Sequence, residues 1–179
     1  MIRVRWLGRG GQGSFTASRL LGKAASLFEG KYALAFPSFG PERRGASVLA
    51  FTRIDDKKIT DRSEIPNYEY LVVMDDTLLD KNSIQGLTVG GTIVLNSSSN
   101  DLNSILKGIN VITIDATSLS LDILGLPITN TAMLGALVAA SGIVSLESVL
   151  NSIDDEMKPS MAEKNKKIVQ KAYSMVRGS

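Results

Sequence analysis

The sequence has no cysteine and no histidine among its 179 residues. Without cysteine the chain can hold no disulfide, no iron–sulfur cluster and no thiolate metal site. Without histidine it lacks the commonest general base and the commonest zinc ligand, so neither a Ser-His-Asp nor a Cys-His site can be assembled within it. Chemistry run by this chain alone would rest on Lys, Asp, Glu, Tyr or Arg, and no catalytic residue or metal-ligand set is assigned. Charge of one sign is scarce too. The 20 Lys and Arg against 18 Asp and Glu leave a net charge of +2, which does not make the basic surface of a nucleic-acid binder. Long hydrophobic runs are also missing. The longest apolar-rich stretch, Ala132 to Leu146, is too short for a membrane span and is rich in Gly, Ala and Ser. The opening run MIRVRWLG has no basic region followed by an apolar stretch, so no secretory signal is expected and the chain reads as cytoplasmic.

What is present fits one compact domain, residues 1–179, with hydrophobic residues (44%) enough for a sizeable core. Strand and helix patterns alternate. Strands are expected at 2–7, 31–36, 46–54, 70–75, 90–98 and 110–118. Between the first two lies a helix over 14–29, with apolar positions at Phe15, Leu20, Leu21, Ala24 and Phe28 on one stripe. From Pro127 the pattern turns helical. One helix carries TNTAMLGALVAASGIV, and a second follows a capping pattern at Ser145 and Ser148. A third closes the chain, with Ser160 as its expected N-cap. The polar stretch 55–69 reads as a surface loop. This order predicts an α/β fold: a Rossmann-like three-layer sandwich with a mostly parallel sheet and helices on both faces.

The most informative stretch is GRGGQG, residues 8–13, between the first strand and the first helix. Gly8, Gly10 and Gly13 match G-x-G-x-x-G in the right context. Glycines let the backbone turn sharply and approach a pyrophosphate, while the helix N-terminus offers free N–H groups and a positive dipole end. Arg9, Gly11, Gln12 and Ser14 complete the candidate loop, and Ser14 and Thr16 can add hydroxyl donors. The plain alternative is a tight strand-to-helix turn that binds nothing. A standard NAD site would want an acid at the end of the second strand. That strand runs instead into PSFGPERRG, where Glu42 is displaced and followed by Arg43 and Arg44. Arginines there suit an extra phosphate, as in NADP or coenzyme A, and leave both open. Equally, the turn can be a solvated surface with a local ion pair. The small-residue helix over 130–143 reads either as core or as a surface for self-association. Asn130 and Thr131 at its start are cap candidates first and ligand donors second.

Four stretches together carry a family resemblance: GRGGQG opening a helix, then FPSFGPERRGA, then ITNTAMLGA, then AEKN near the end. In this order, over nearly the whole chain, they resemble the gamma subunit of 2-oxoacid:ferredoxin oxidoreductases of the pyruvate synthase type. The resemblance implies a multi-subunit complex that oxidatively decarboxylates a 2-oxoacid to acyl-coenzyme A and CO2 and passes electrons to ferredoxin. It implies alpha, beta and delta partner subunits, with thiamine diphosphate, Mg and 4Fe-4S clusters held by those partners and none by this chain. It gives the gamma chain a Rossmann-like fold and a role in coenzyme A binding and assembly. Carried over by position, Gly8, Gly10, Gly11, Gln12 and Gly13 form the phosphate-facing loop. Ser38, Gly40, Pro41, Glu42, Arg43 and Arg44 form the second motif, and Asn130, Thr131 and Asn165 match the later ones. The PERRG form resembles the pyruvate and branched-chain oxoacid branches. A self-standing NADP-binding reductase and a non-catalytic nucleotide-binding scaffold remain as alternatives.

Overall fold

A computed structural model describes residues 1–38, 47–99 and 104–178. The arginine turn, with Arg43 and Arg44, lies outside the described residues. The described strands are β1 (Ile2–Arg9), β2 (Tyr32–Ser38), β3 (Ser47–Asp55), β4 (Tyr68–Val73), β5 (Leu87–Asn96) and β6 (Asn110–Ile114). The α-helices are α1 (Ser14–Lys23), α2 (Ala116–Leu124), α3 (Asn130–Ser141), α4 (Leu146–Glu156) and α5 (Pro159–Arg177). No helix among the described residues is long and apolar enough to cross a membrane.

One sheet runs in the order β2-β3-β1-β4-β5-β6. β1, β4, β5 and β6 are parallel neighbours. β3 is inserted antiparallel between β1 and β2, so the sheet is mostly parallel, as expected, with one hairpin strand that alternation alone does not reveal. The chain therefore steps one way from β1 to β2 and the other way from β4 through β5 to β6. Right-handed crossovers stepping in opposite directions fall on opposite faces. α1 accordingly packs on one face, and the connections after β4 and β5 cross the other.

The two faces are covered unequally. All five α-helices share one core with Val4, Trp6, Val72, Val94 and Ile114 of the strands. The opposite face, with Leu7, Phe51, Leu71, Val73 and Ile93, is covered by single-turn 3-10 helices at 76–78 and 104–106 and by the loops around them. Among the described residues, the outer layer on that face is made of short turns and loops and not of α-helices.

α3 is the centre of the molecule. Its residues 130–139 are all buried, the condition of a helix with no polar face. A Cβ on Gly135 would lie 2.5 Å from the Val169 carbonyl oxygen of α5. The small residues thus serve close packing within the chain, which corrects the reading of 130–143 as a self-association surface. α5 is amphipathic and turns Ala162, Asn165, Ile168, Val169 and Ala172 inward. Within the same core, the buried Trp6 indole N–H donates to Thr52 Oγ1 (3.0 Å), whose hydroxyl donates to the Ser18 carbonyl (3.1 Å). That chain of bonds joins β1, β3 and α1.

Three local expectations are revised. The strand expected over 110–118 ends at Ile114; Asp115 then caps α2, accepting from the Ser118 N–H (2.9 Å). The last helix starts one residue before Ser160, at Pro159, with Lys158 as its N-cap. Proline suits the first helical position because its missing N–H would be unpaired there anyway. The helix expected over 14–29 is α-helical only to Lys23 and continues as a π-turn over Ala24–Phe28. Ser145 caps α4 as read, accepting from the Ser148 N–H (3.1 Å).

Candidate functional site

The carboxyl ends of β1, β4, β5 and β6 open into a cleft of about 630 Å³. It lies beside β1, where the strand order reverses, the place where open α/β sheets hold their ligands. One wall is the glycine loop, Gly10 to Gln12. The floor is Met74, Asp75 and Asn96 from the ends of β4 and β5. The far wall is Asp115 and Thr117 at the start of α2, with Ile128 and Thr129 before α3.

The glycine loop is built for a close approach at its tip. Gly11 and Gly13 sit at φ +87° and +81°, a conformation side chains disfavour. Apart from the adjoining residues, no described atom lies within 4 Å of a Cβ built on Gly10 or Gly11, so the space beside them is open. Gly13 is the N-cap of α1, and α1 has no side-chain cap. Its first-turn N–H groups therefore lack a partner from the cap side chain.

The loop's side chains hold the loop itself. Gln12 Oε1 accepts from the Arg9 N–H (2.6 Å), and the Gln12 N–H donates to the Arg9 carbonyl (3.1 Å). The Arg9 guanidinium turns to Asp75 Oδ2 (2.7 Å) and Thr77 Oγ1 (2.8 Å). Ser14 is buried, its hydroxyl 3.5 Å from Met74 Sδ. A Cβ on Gly8 would meet Ser14 Oγ at 2.5 Å, so this glycine serves packing under the loop. Gly10 and Gly11 present bare backbone to the cleft, with Gln12 beside them.

The floor is a hydrogen-bonded frame. Asn96, buried at the end of β5, donates to the Met74 carbonyl and to Thr117 Oγ1 (2.9 Å each) and accepts from the Ala116 N–H (3.0 Å). One carboxamide thus joins β4, β5 and α2. Burial pushes the Asp75 carboxyl up, but hydrogen bonds from Thr77 and then Arg9 outweigh it and hold Asp75 below its ordinary range.

The remaining site candidates divide. Asn130 packs against Gly13, and its Oδ1 accepts from the Thr131 N–H (2.8 Å). Thr131 is fully buried and donates to Asn165 Oδ1 (2.8 Å), pinning α3 to α5 and away from any ligand. Asn165 completes that lock by donating to the Met161 carbonyl (2.9 Å). Ser38 is out at the sheet edge and donates to Glu64 of the 56–67 loop. Its strand is separated from β1 by β3, so Ser38 is not brought to the glycine loop. The strand register does set Ser47, just after the arginine turn, opposite Arg9. Sequence reasoning missed Asn96, Thr129 and the cleft roles of Asp75 and Asp115. The Asp ending YLVVMD was a signal, and Thr129 lies inside the ITNTAMLGA stretch; the single Asn gave none.

A sequence profile described as "Pyruvate ferredoxin/flavodoxin oxidoreductase" matches residues 3–175. The chain belongs to the pyruvate ferredoxin/flavodoxin oxidoreductase family. Within this family it is 51% identical over 175 residues to pyruvate synthase subunit PorC of Methanocaldococcus jannaschii, covering 97% of this chain and 96% of the relative. It is 46% identical over 178 residues to the pyruvate/ketoisovalerate oxidoreductases common subunit gamma of Thermococcus litoralis, with the same coverage. The crystal structure of pyruvate oxidoreductase subunit PORC from Thermotoga maritima superposes with a TM-score of 0.84 at 37% identity, over 97% of this chain and 95% of that one. The oxidoreductase family fold therefore extends over the glycine loop, the inserted β3 strand and the α3–α5 pair alike.

Proposed function

We propose that this chain is the gamma subunit of a cytoplasmic 2-oxoacid:ferredoxin oxidoreductase of the pyruvate type, acting as one domain over its length, and that its glycine loop receives the diphosphate of coenzyme A. The gamma assignment is supported by end-to-end similarity, 51% and 46% identical, to a pyruvate synthase subunit PorC and to a common subunit gamma. The coenzyme A reading is carried by one observation: Gly10 and Gly11 face open space at the uncapped N-terminus of α1. That cradle fits a phosphate. Coenzyme A supplies the thiol that takes up the acyl group.

The lack of cysteine leaves no thiolate in this chain for an iron–sulfur cluster, and the family resemblance supports placing the rest of the reaction in partner subunits. Iron–sulfur clusters and thiamine diphosphate with Mg belong to alpha, beta and delta partners, and ferredoxin takes the electrons. The name of the Thermococcus relative describes one gamma chain common to pyruvate and ketoisovalerate enzymes. That supports a gamma chain indifferent to the oxoacid, with the choice between pyruvate and a branched-chain oxoacid made by the partners. Arg43 or Arg44 meets a coenzyme A phosphate or a neighbouring subunit on this reading. Against a self-standing NADP reductase stands the position of β3, which separates the end of β2, where a ribose is normally read, from the glycine loop.

The test is anaerobic purification of the tagged chain from its native cell, followed by dye reduction with pyruvate and branched-chain oxoacids, with and without coenzyme A. Partner subunits and a coenzyme-A-dependent signal are expected. In that complex Gly10→Val should raise the KM for coenzyme A about tenfold or more, with the oxoacid KM unchanged and the fold intact, since a Cβ at this position points into open space. A lone chain that binds NADPH, or a Gly10→Val complex with unaltered coenzyme A kinetics, would overturn the reading.

A further inference from the structure

We infer that the amino end of β1 and a bulge of β5 form a docking surface for an acidic segment of a partner subunit. Arg5 takes one of its carboxylates, and Val89 presses against its apolar side chains. The surface lies at the opposite end of the sheet from the cleft. The inference rests on the multi-subunit reading and goes beyond it.

On β1, Val4 and Trp6 point to the helix-covered core, so Arg3, Arg5 and Leu7 point to the face covered by short turns. Arg53 of β3 shares that face with Phe51 and stands directly opposite Arg3 in the register. Three guanidiniums thus crowd one end of the face. Two of them have acids: Arg3 pairs with Glu69 (2.5 Å) and Arg53 with Asp61 (2.6 Å). Arg5 has no carboxylate partner among the described residues. Its guanidinium lies over the Tyr68 ring, 5.3 Å from the centroid. Its Nη1 makes two long contacts, to the Tyr68 hydroxyl and, at the exposed surface, to the Gln85 carbonyl (3.4 Å each). Its Nε is buried without a partner. A partly desolvated guanidinium beside two others is unfavourable without a counter-charge. Its planar fork, open at the outer edge, suits a carboxylate held in bidentate fashion.

Val89 decides what brings that carboxylate. β4 and β5 pair at Tyr68↔Leu87 and again at Tyr70↔Thr92, so residues 88–91 bulge out opposite Glu69 alone. The base of the bulge is packed. Thr88 Oγ1 donates to the Tyr68 carbonyl (3.3 Å), and a Cβ on Gly91 would meet the Glu69 carbonyl oxygen at 2.9 Å. Val89, between them, is 107% exposed. The bulge therefore rests on Tyr68 and Glu69, the residues that Arg5 and Arg3 hold, and its apolar tip belongs to the same patch as the open fork. An inorganic anion would fill the fork and leave Val89 in water. A protein segment covers both, and an arginine beside an apolar contact is a common anchor of such interfaces.

The test uses the intact complex, purified anaerobically through a tag on this chain, with partner retention followed by native mass spectrometry over a salt series. Arg5→Gln should weaken retention about tenfold or more. Val89→Asp should weaken it as well, because it lies outside the core and adds a charge like the partner's. Complexes that stay assembled should keep the native KM for coenzyme A, since the cleft is at the other end of the sheet. Benzoylphenylalanine in place of Val89 should crosslink to a partner subunit within a segment that carries Asp or Glu. Native retention in both variants overturns the inference, as does a crosslink to a second copy of this chain, or none in an assembled complex. If both variants assemble normally while Gly10→Val raises the KM for coenzyme A, this inference alone fails. If the tagged native chain brings no partner with it, the multi-subunit reading fails and this inference goes with it.

Discussion

Gly13 and Asn130 are in contact through the glycine's missing side chain: a Cβ on Gly13 would overlap the Asn130 carboxamide. The contact joins the loop that begins α1 to the residue that begins α3, two motifs far apart in the chain. Gly13→Ala meets both a left-handed backbone at φ +81° and this overlap. A destabilisation of about 2–4 kcal/mol is expected from strain and overpacking together. In a double-mutant cycle with Asn130→Gly, followed by chemical denaturation, the steric part should vanish and about 1–2 kcal/mol of backbone strain should remain. Additive effects would show that the two residues do not share the contact.

Thr52 links three elements through one hydroxyl, accepting from Trp6 and donating to Ser18. Thr52→Val keeps the shape but leaves the buried indole N–H without its acceptor. The expected loss is about 1–3 kcal/mol, against a smaller one for Thr52→Ser. Equal denaturation midpoints for the two variants would contradict this.

At Gly135 helix propensity and packing pull in opposite directions. Alanine is the better helix former by about 1 kcal/mol. Its Cβ would press on the backbone of Val169, at 2.5 Å from the carbonyl oxygen and 3.0 Å from the Cα, which a side-chain rotation cannot relieve. Packing should win, with Gly135→Ala losing about 1–3 kcal/mol. A variant more stable than the native chain would mean that α3 and α5 separate easily.

Asp61 gives a pH signature. Hydrogen bonds from the Ser63 side chain and backbone, then from the Arg53 guanidinium, lower its carboxyl from 3.8 to about 2. A carboxyl held lower in the folded state stabilises it above the unfolded value, and that contribution disappears as pH falls from 3.8 toward 2. Asp61→Asn should flatten the thermal midpoint over that window and change little at neutral pH. The group is exposed, so the effect is small, and the slope is the quantity to compare.

Much of the fold was readable because it is local. The alternation of strand and helix patterns, the glycine turn at the end of β1 and the Ser145 cap of α4 depend on residues close in sequence. The errors came where local signals compete. VITI and Thr117 beyond it are β-branched and read as strand, and the acceptance of the Ser118 N–H by Asp115 ends the strand and opens α2. At the last helix a serine and a glutamate three residues on look like a cap, yet Pro159, already fixed at a helical φ, begins it earlier.

The sequence by itself determined that this chain carries no thiolate or imidazole chemistry, that it begins with a phosphate-type turn, and that its motifs match one family. These follow from residue type and short spacing. Only the tertiary structure decided which polar residues face the cleft. Arg9, Ser14 and Thr131 were candidate ligand contacts, but each finds its partner on a distant element, at Asp75, Met74 and Asn165. Asn96, silent in the sequence, and Thr129, inside ITNTAMLGA but not singled out there, line the cleft because the end of β5 and the start of α3 converge beside the glycine loop. Hydrogen bonds between remote segments depend on the packing of the sheet and helices, and no local spacing encodes them.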